Sequence, residues 1–244
     1  MICRLRKSRR LGRERATESR SFPFCLAGRR VTANHPMVKE GYWYGLPLVV
    51  AAIGCAVLRL DWAALVFLIF AALVLNFFRD PERTIPSDPA AIVSPADGRV
   101  VEIVEETHAG RPVRRLSIFM SPLDVHVNRS PAAGKLREIT YQRGRFLVAS
   151  GSRASIENEQ NVFTIDTQAG PIVVKQIAGL VARRIVFWKR LGARLGRGER
   201  VGLIKFGSRV DVLLDPSIEL SVRPGDRVHA GSSILAMAPG REMG

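Results

Sequence analysis

The chain has 244 residues, 47% of them apolar, which is enough for one sizeable domain and excludes a wholly disordered protein. Its three cysteines share no short metal-ligand spacing, which argues against a disulfide framework. The net charge of +15 is concentrated in residues 1–36, with ten basic and two acidic residues, and in residues 181–209, with nine and one. Such blocks predict an anionic partner, either nucleic acid or lipid headgroups.

Residues 1–36 form the first segment, rich in arginine and without a periodic apolar pattern. We interpret them as a disordered basic arm. No apolar stretch of a secretory signal follows the arginines within it. Met37 begins the first regular segment and is therefore an alternative start of the protein.

Two apolar runs follow, at residues 44–58 and 62–78, and predict a helical hairpin over residues 37–80. Each run is near or below the roughly 20 residues that cross a bilayer core of about 30 Å. A pair of buried core helices is the alternative. The absence of a polar face, and the aromatic residues at positions 42–44 and at Trp62, favour a hairpin that spans a membrane or dips into one leaflet.

The flanks of this hairpin are basic on both sides, with the arm before it and Arg79 and Arg83 after it. Because basic flanks stay in the cytoplasm, both ends should lie on the cytoplasmic face of the cell (inner) membrane.

From Pro81 onward the chain changes to short runs rich in valine and isoleucine, separated by glycine, proline and aspartate turns. The predicted strands are Arg99–Glu105, Arg114–Met120, Val125–Asn128, Gly170–Ile177, Arg209–Leu214 and Ile218–Val222. Residues 178–195 are compatible with a helix or with strands. Residues 81–244 should therefore form a mostly β domain with some α, similar to a barrel or a sandwich.

His126 is the histidine with the most distinctive setting. Strand alternation places Asp124, His126 and Asn128 on one face and the two intervening valines on the other. A solvent-facing strand side is the plain alternative. The other histidines, at positions 35, 108 and 229, are interpreted as solvated residues of the arm and of loops.

The Gly207–Ser208 pair lies between two apolar β-type runs, where a turn or bulge would be ordinary. The same pair suits internal serinolysis, in which the serine hydroxyl attacks the preceding carbonyl. β-Elimination of the resulting ester and hydrolysis then leave an N-terminal pyruvoyl group and ammonia. The hydroxyl needs a base, and a histidine oriented by a carboxylate is the usual one; Asp97 and His126 are the candidates.

Five motifs in order identify a resemblance: Phe77–Arg83 (FFRDPER), Ser94–Gly98 (SPADG), Met120–Arg129 (MSPLDVHVNR), Gln176–Ile185 (QIAGLVARRI) and Phe206–Arg209 (FGSR). Together they resemble the short bacterial form of phosphatidylserine decarboxylase over about residues 37–240. The resemblance implies decarboxylation of phosphatidylserine to phosphatidylethanolamine through a Schiff base with a covalent pyruvoyl (pyruvate) cofactor, without a metal.

The resemblance also implies site residues and processing. Cleavage between Gly207 and Ser208 would leave a β chain to residue 207 and an α chain of residues 208–244, which stay together as a heterodimer. Asp97 matches the family's catalytic aspartate, and His126 matches the first histidine of a His-x-x-His segment in the longer form. The second histidine of that segment falls on Arg129, so the identity of the cleavage base stays open.

Three further residues are candidates for contacts with an anionic phospholipid substrate: Arg209, Arg129 and Asn128. Arg209 directly follows the predicted cofactor, and an arginine can hold a carboxylate or a phosphate. A cation at the end of a surface strand is the alternative for Arg209.

Other functions are less consistent with the sequence. Residues 222–231 resemble turns of biotinyl- or lipoyl-type domains, so a non-catalytic, membrane-attached β module is the alternative, but no lysine sits in a tight hairpin of that kind. Nucleic acid is not expected, because no recognisable reading module accompanies the basic blocks. Attraction to anionic membrane lipid explains the two basic blocks, since each basic residue near the membrane surface contributes about 1 kcal/mol to binding. Ser208 lacks the Gly-x-Ser-x-Gly elbow of serine hydrolases.

Overall fold

The computed structural model describes residues 37–144, 158–179, 184–205 and 208–238. The basic arm and Gly207 lie outside these residues. Two helices, α1 (Lys39–Val57) and α2 (Asp61–Phe77), form the predicted hairpin. α1 begins five residues before the apolar run, because Lys39 to Trp43 continue the helix down to the β-rich part.

The two helices approach closely at one end of the hairpin, the base. A Cβ atom on Gly41 would lie 2.7 Å from Phe78 Cβ, and one on Gly45 would lie 2.5 Å from Leu75 Cδ2. The Val38 N–H donates to the carbonyl of Phe78 at 3.1 Å and ties the two ends of the hairpin together. Small residues thus set the helix separation at the base.

The remaining surface of the hairpin is apolar and exposed, with Trp62 at 83%, Val57 at 75% and Leu46 at 65% exposure. By length and composition α1 can cross a membrane, whereas α2, with 17 residues, is a shorter apolar helix.

The described residues after α2 form fourteen strands. They are β1 (Ala91–Val93), β2 (Gly98–His108), β3 (Arg111–Met120), β4 (Val127–Arg129), β5 (Gly134–Gln142), β6 (Gln160–Thr167), β7 (Gly170–Ala178), β8 (Ile185–Phe187), β9 (Arg194–Leu195), β10 (Arg200–Ile204), β11 (Ser208–Leu214), β12 (Glu219–Leu220), β13 (Arg227–Val228) and β14 (Ile234–Met237).

Eight of the strands form one curled antiparallel sheet in the order β13-β2-β3-β11-β7-β6-β5-β9. Two three-stranded sheets, β1-β14-β12 and β4-β10-β8, complete the domain. The predicted mostly β fold is confirmed as a half-barrel preceded by two helices. Residues 178–195, left open by the sequence, contribute the short strands β8 and β9.

The apolar side chains fall into two clusters. The larger one fills the curled sheet with residues such as Leu116, Ile118 and Val210. The smaller one joins the hairpin base to the β domain; its buried members are Val38, Phe77, Phe78, Val125, Val127 and Leu203. This second cluster places the hairpin beside His126, because Val125 and Val127 flank that residue.

Candidate active site

Ser208 is the first residue of β11, a central strand of the large sheet. It pairs with Met120 of β3 on one side and Ala178 of β7 on the other, and it is fully buried. Its hydroxyl donates to Met120 Sδ at 3.3 Å. Because a thioether is a weak acceptor, this contact leaves the hydroxyl available for reaction. Gly207, the predicted partner in cleavage, lies outside the described residues.

A chain of buried amides leads to the same sulfur atom. Asn128 Nδ2 donates to Met120 Sδ at 3.7 Å, and Gln176 Nε2 donates to Asn128 Oδ1 at 2.8 Å. Asn161 Nδ2 in turn donates to Gln176 Oε1 at 2.9 Å. Asn128 and Ser208 therefore converge on Met120, and the amide chain fixes the orientation of Asn128.

His126 has one engaged and one free ring nitrogen. Its Nδ1 lies 2.9 Å from the backbone carbonyl of Asp124, and since a carbonyl can only accept, Nδ1 carries the proton. Nε2 is buried without a hydrogen-bond partner in the part of the chain that the structure describes. Burial lowers the pKa of His126 to about 4. The ring is thus neutral at pH 7, with a lone pair on Nε2, as a general base requires.

Two elements position this imidazole. The Ile204 N–H donates to the His126 carbonyl at 3.4 Å, which ties His126 to the strand that leads toward Ser208. The Phe77 ring, at the end of α2, lies against the imidazole with 4.1 Å between ring centroids. The hairpin base therefore covers His126 and contributes to the burial that lowers its pKa.

Asp97 lies in the turn before β2, directly before Gly98. A Cβ atom on Gly98 would lie 2.1 Å from the Phe119 carbonyl oxygen, so only glycine fits there. The Asp97 carboxylate accepts hydrogen bonds from the Ala230 N–H at 2.8 Å and from Arg83 Nη2 at 2.7 Å. His229 Nδ1 lies 3.4 Å from the same carboxylate.

Asp97 thus contacts His229, whereas the hydrogen bonds of His126 go elsewhere. Asp97, His126 and Ser208 do not form a hydrogen-bonded triad within the described residues. Our interpretation of His229 as a solvated loop residue missed its contact with Asp97. In the structure Val228 is the register partner of Gly98, which brings the next residue, His229, opposite Asp97. Asp97 and His229 are 132 residues apart, and the sequence gives no signal for their contact.

Arg129, at the position of the second histidine of the longer form, is a buried ion-pair residue. Its Nη2 lies 2.9 Å from Asp80 Oδ1, and its Nη1 donates to the Gly198 carbonyl at 3.1 Å. Arg200 also pairs with Asp80. These contacts hold the segment around Asp80, which follows α2, against the β domain. The geometry therefore favours a structural role for Arg129 over substrate contact.

Arg209 follows Ser208 on β11 and, by strand alternation, points to the opposite face of the sheet. There it pairs with Asp211 at 2.6 Å and Glu102 at 3.2 Å, and it donates to Ser117 Oγ at 2.5 Å. Its guanidinium is buried in this network, so the geometry does not favour the predicted substrate contact. Of the three predicted contact residues, only Asn128 shares a contact with Ser208 among the described residues: both side chains donate to Met120 Sδ.

The described residues contain no group of three or more His, Cys, Asp or Glu side chains that could hold a metal ion. Fold and site together define a β-rich enzyme with a buried serine on a central strand and a neutral histidine packed against an apolar helical hairpin.

Comparison with known proteins identifies the family. The sequence model for phosphatidylserine decarboxylase matches residues 70–236. The chain is 50% identical over 200 residues to the phosphatidylserine decarboxylase proenzyme of Solibacter usitatus (strain Ellin6076), covering 82% of this chain and 96% of that protein. It is 43% identical to the proenzyme of the same name from Geotalea uraniireducens (strain Rf4), covering 84% and 98%. The chain therefore belongs to the phosphatidylserine decarboxylase family, and it is a decarboxylase.

Proposed function

We propose that this chain converts phosphatidylserine to phosphatidylethanolamine at the cytoplasmic face of the cell membrane. It would use a pyruvoyl group that it makes from Ser208 by cutting itself between Gly207 and Ser208. The observation that carries the proposal is the buried His126. Its Nε2 is an unprotonated acceptor, and its backbone carbonyl accepts from the N–H of Ile204, the last residue of β10, four residues before Ser208. Membership of a family whose relatives are named proenzymes supports it.

In the proposed cut, Ser208 Oγ attacks the Gly207 carbonyl and gives its proton to His126 Nε2. The peptide C–N bond breaks as an ester C–O bond forms, and the Ser208 nitrogen becomes an amine. Removal of the Ser208 α-proton expels Gly207 as a carboxylate, and water hydrolyses the remaining enamine to the pyruvoyl group with loss of ammonia. The neutral state of His126 at pH 7 supports its role as the base.

The pyruvoyl group, when formed, supplies a carbonyl that accepts the electron pair released as carbon dioxide leaves. The residues around Ser208 fit such a group. Ser208 is buried, which keeps bulk water away, and Met120 and Asn128 line its side without a competing charge. His126 Nε2, unprotonated at pH 7, would accept the proton that the substrate ammonium loses and return it to the product α-carbon. Asn128, oriented by Gln176, would hold the serine headgroup.

The hairpin supports attachment to a membrane. Its exposed apolar side chains would lie in the lipid, and the aromatic residues Tyr42, Trp43 and Tyr44 would lie at the interface. The domain limits 37–80 and 81–244, and the association of the α and β chains, belong to the same proposal. The alternative function as a biotinyl- or lipoyl-type carrier is not supported, because residues 206–244 contain no lysine for attachment of a prosthetic group.

The intact mass of the purified protein tests the proposal. The wild-type protein should yield a fragment of about 4 kDa, in proportion to 37 of 244 residues, with a pyruvoyl group at its start. Ser208→Ala should stay uncut and release no carbon dioxide from phosphatidylserine. Ser217→Ala, an exposed serine in the same fragment, should be cut like the wild type. A fully active, uncut wild-type chain would refute the proposal.

A further inference from the structure

A pocket of about 240 Å³ lies where the hairpin base meets the β domain. Glu40, Trp43 and Tyr44 line it from the first turns of α1, and Arg184, Val186 and Lys205 line it from the β domain. None of these residues takes part in the proposed chemistry at Ser208.

Lys205 is the unusual member of this pocket, because its side chain is buried with 8% exposure. Its Nζ lies 3.4 Å from Tyr44 Oη, 5.0 Å from the Tyr44 ring centroid and 5.9 Å from that of Phe78. Among the described residues, no carboxylate lies within 4.0 Å of this ammonium. Aromatic rings and a hydroxyl offset part of the desolvation cost of a buried cation, and an anion would offset more.

A second cation lies next to it. The Lys205 N–H donates to the Arg184 carbonyl at 3.1 Å, so both side chains start from neighbouring backbone positions. The Arg184 side chain is exposed. Glu40 lies on the opposite wall, and the pocket therefore carries two positive charges against one negative charge.

We propose that this pocket binds the phosphodiester of the substrate lipid, with Lys205 as the main contact and Arg184 as the second. This inference rests on the proposed function. Lys205 precedes Ser208 by three residues, a chain distance of at most about 11 Å. The first turns of α1, which lead into the exposed apolar part of the hairpin, line the pocket on one side, and Lys205 lines it on the other. A lipid whose acyl chains follow the hairpin would thus place its phosphate in the pocket and direct its serine headgroup toward Ser208.

Two substitutions separate charge from packing at Lys205. Lys205→Met keeps an aliphatic side chain against Tyr44 and Phe78 but removes the ammonium. Lys205→Arg keeps the charge. If Lys205 served only to hold the hairpin against the β domain, Lys205→Met would leave the affinity for lipid unchanged.

The first experiment measures decarboxylation of phosphatidylserine in neutral detergent micelles, with the full chain and after cleavage has been confirmed by mass. Lys205→Met should raise KM about 10-fold or more, with a smaller fall in kcat, because a charge-assisted hydrogen bond to the bound lipid is lost. Lys205→Arg should restore KM to near the wild-type value. Lys135→Met, which removes an exposed lysine on β5, is the matched control and should leave both constants unchanged. An unchanged KM for Lys205→Met would overturn the inference.

The second experiment does not depend on activity. Uncut Ser208→Ala protein should bind phosphatidylserine in neutral micelles, with a change in the fluorescence of Trp43, and adding Lys205→Met should weaken this binding about 10-fold. Equal binding by the two proteins overturns the phosphodiester site even if the wild type is active. An inactive wild type with Lys205-dependent binding refutes the proposed function alone. Competition by millimolar inorganic phosphate that disappears in Lys205→Met would support a shared phosphate site at Lys205. Phosphate binding that depends on Lys205, together with lipid binding that does not, would assign the pocket to free phosphate and overturn the lipid assignment.

Discussion

The base and the tip of the helical hairpin both carry large apolar side chains, but these side chains have different surroundings. At the base, Phe77 and Phe78 are 3% and 2% exposed and pack on the β domain. At the tip, Val57 and Trp62 are 75% and 83% exposed. One end of the hairpin therefore packs against His126 of the candidate active site, and the other end presents an apolar surface. Removing the whole hairpin would therefore expose His126 as well as remove the proposed membrane anchor.

The largest loss of stability should come from substitution of Phe77. Phe77→Ala removes a buried ring that lies against His126, and we expect the free energy of unfolding to fall by about 3–5 kcal/mol. Phe70→Ala, the same change at a residue of α2 with 54% exposure, should change it by less than about 0.5 kcal/mol. Denaturant unfolding of the detergent-solubilised Ser208→Ala precursor measures both. Equal losses would remove the distinction between base and tip.

The second prediction concerns how the stability of the protein depends on pH through His126, which packs against the hairpin base. Burial, the first cause, lowers the pKa of His126 from 6.5 to about 4, and the nearby Arg79 charge acts in the same direction. Both outweigh the Asp124 carbonyl and the Asp124 and Asp97 charges, which raise this pKa. Between these values the unfolded chain binds more protons, so stability is full above about pH 6.5 and decreases as the pH falls toward 4. The loss should reach about 3 kcal/mol at most.

His126→Gln isolates this contribution, because other groups titrate in the same range. The difference in the free energy of unfolding between the precursor and its His126→Gln variant should change between pH 7 and pH 4. A difference that is independent of pH would contradict the buried, neutral state of His126.

The smallest effect compares two glycines of α1. Gly41→Ala brings a methyl group against Phe78 Cβ at the base and should destabilise the protein by about 1–3 kcal/mol. Gly54→Ala meets nothing within 4 Å and should stabilise the helix by up to about 1 kcal/mol. Thermal unfolding midpoints of the two variants should move in opposite directions. A shift in the same direction would mean that the helices do not approach closely at Gly41.

Local patterns predicted much of this molecule. Apolar runs and turn residues indicated the hairpin and six of the strands, but they did not predict β5 or β6, two long strands of the large sheet. Short motifs indicated Ser208, His126 and Asp97 as candidate site residues. The alternation of β11 also contained the information that Arg209 points away from Ser208. Partners distant in sequence were not predictable, since Asp80 reaches Arg129 across 49 residues and Phe77 reaches His126 through tertiary packing. The same limitation explains why the pairing of Asp97 with His229 was missed.

The position of β11 has a consequence for how the protein folds and refolds. Ser208 to Leu214 is hydrogen-bonded to β3 on one side and to β7 on the other, in the middle of the large sheet. A cut before Ser208 would therefore convert one folding unit into two polypeptides that hold each other's hydrogen bonds. The uncut chain folds in a first-order reaction, whereas the cut molecule, once unfolded, must find its missing strand in solution, in a second-order reaction. After self-cleavage, an unfolded molecule would refold only slowly. The stability of the cut protein would then depend on the rate at which it unfolds.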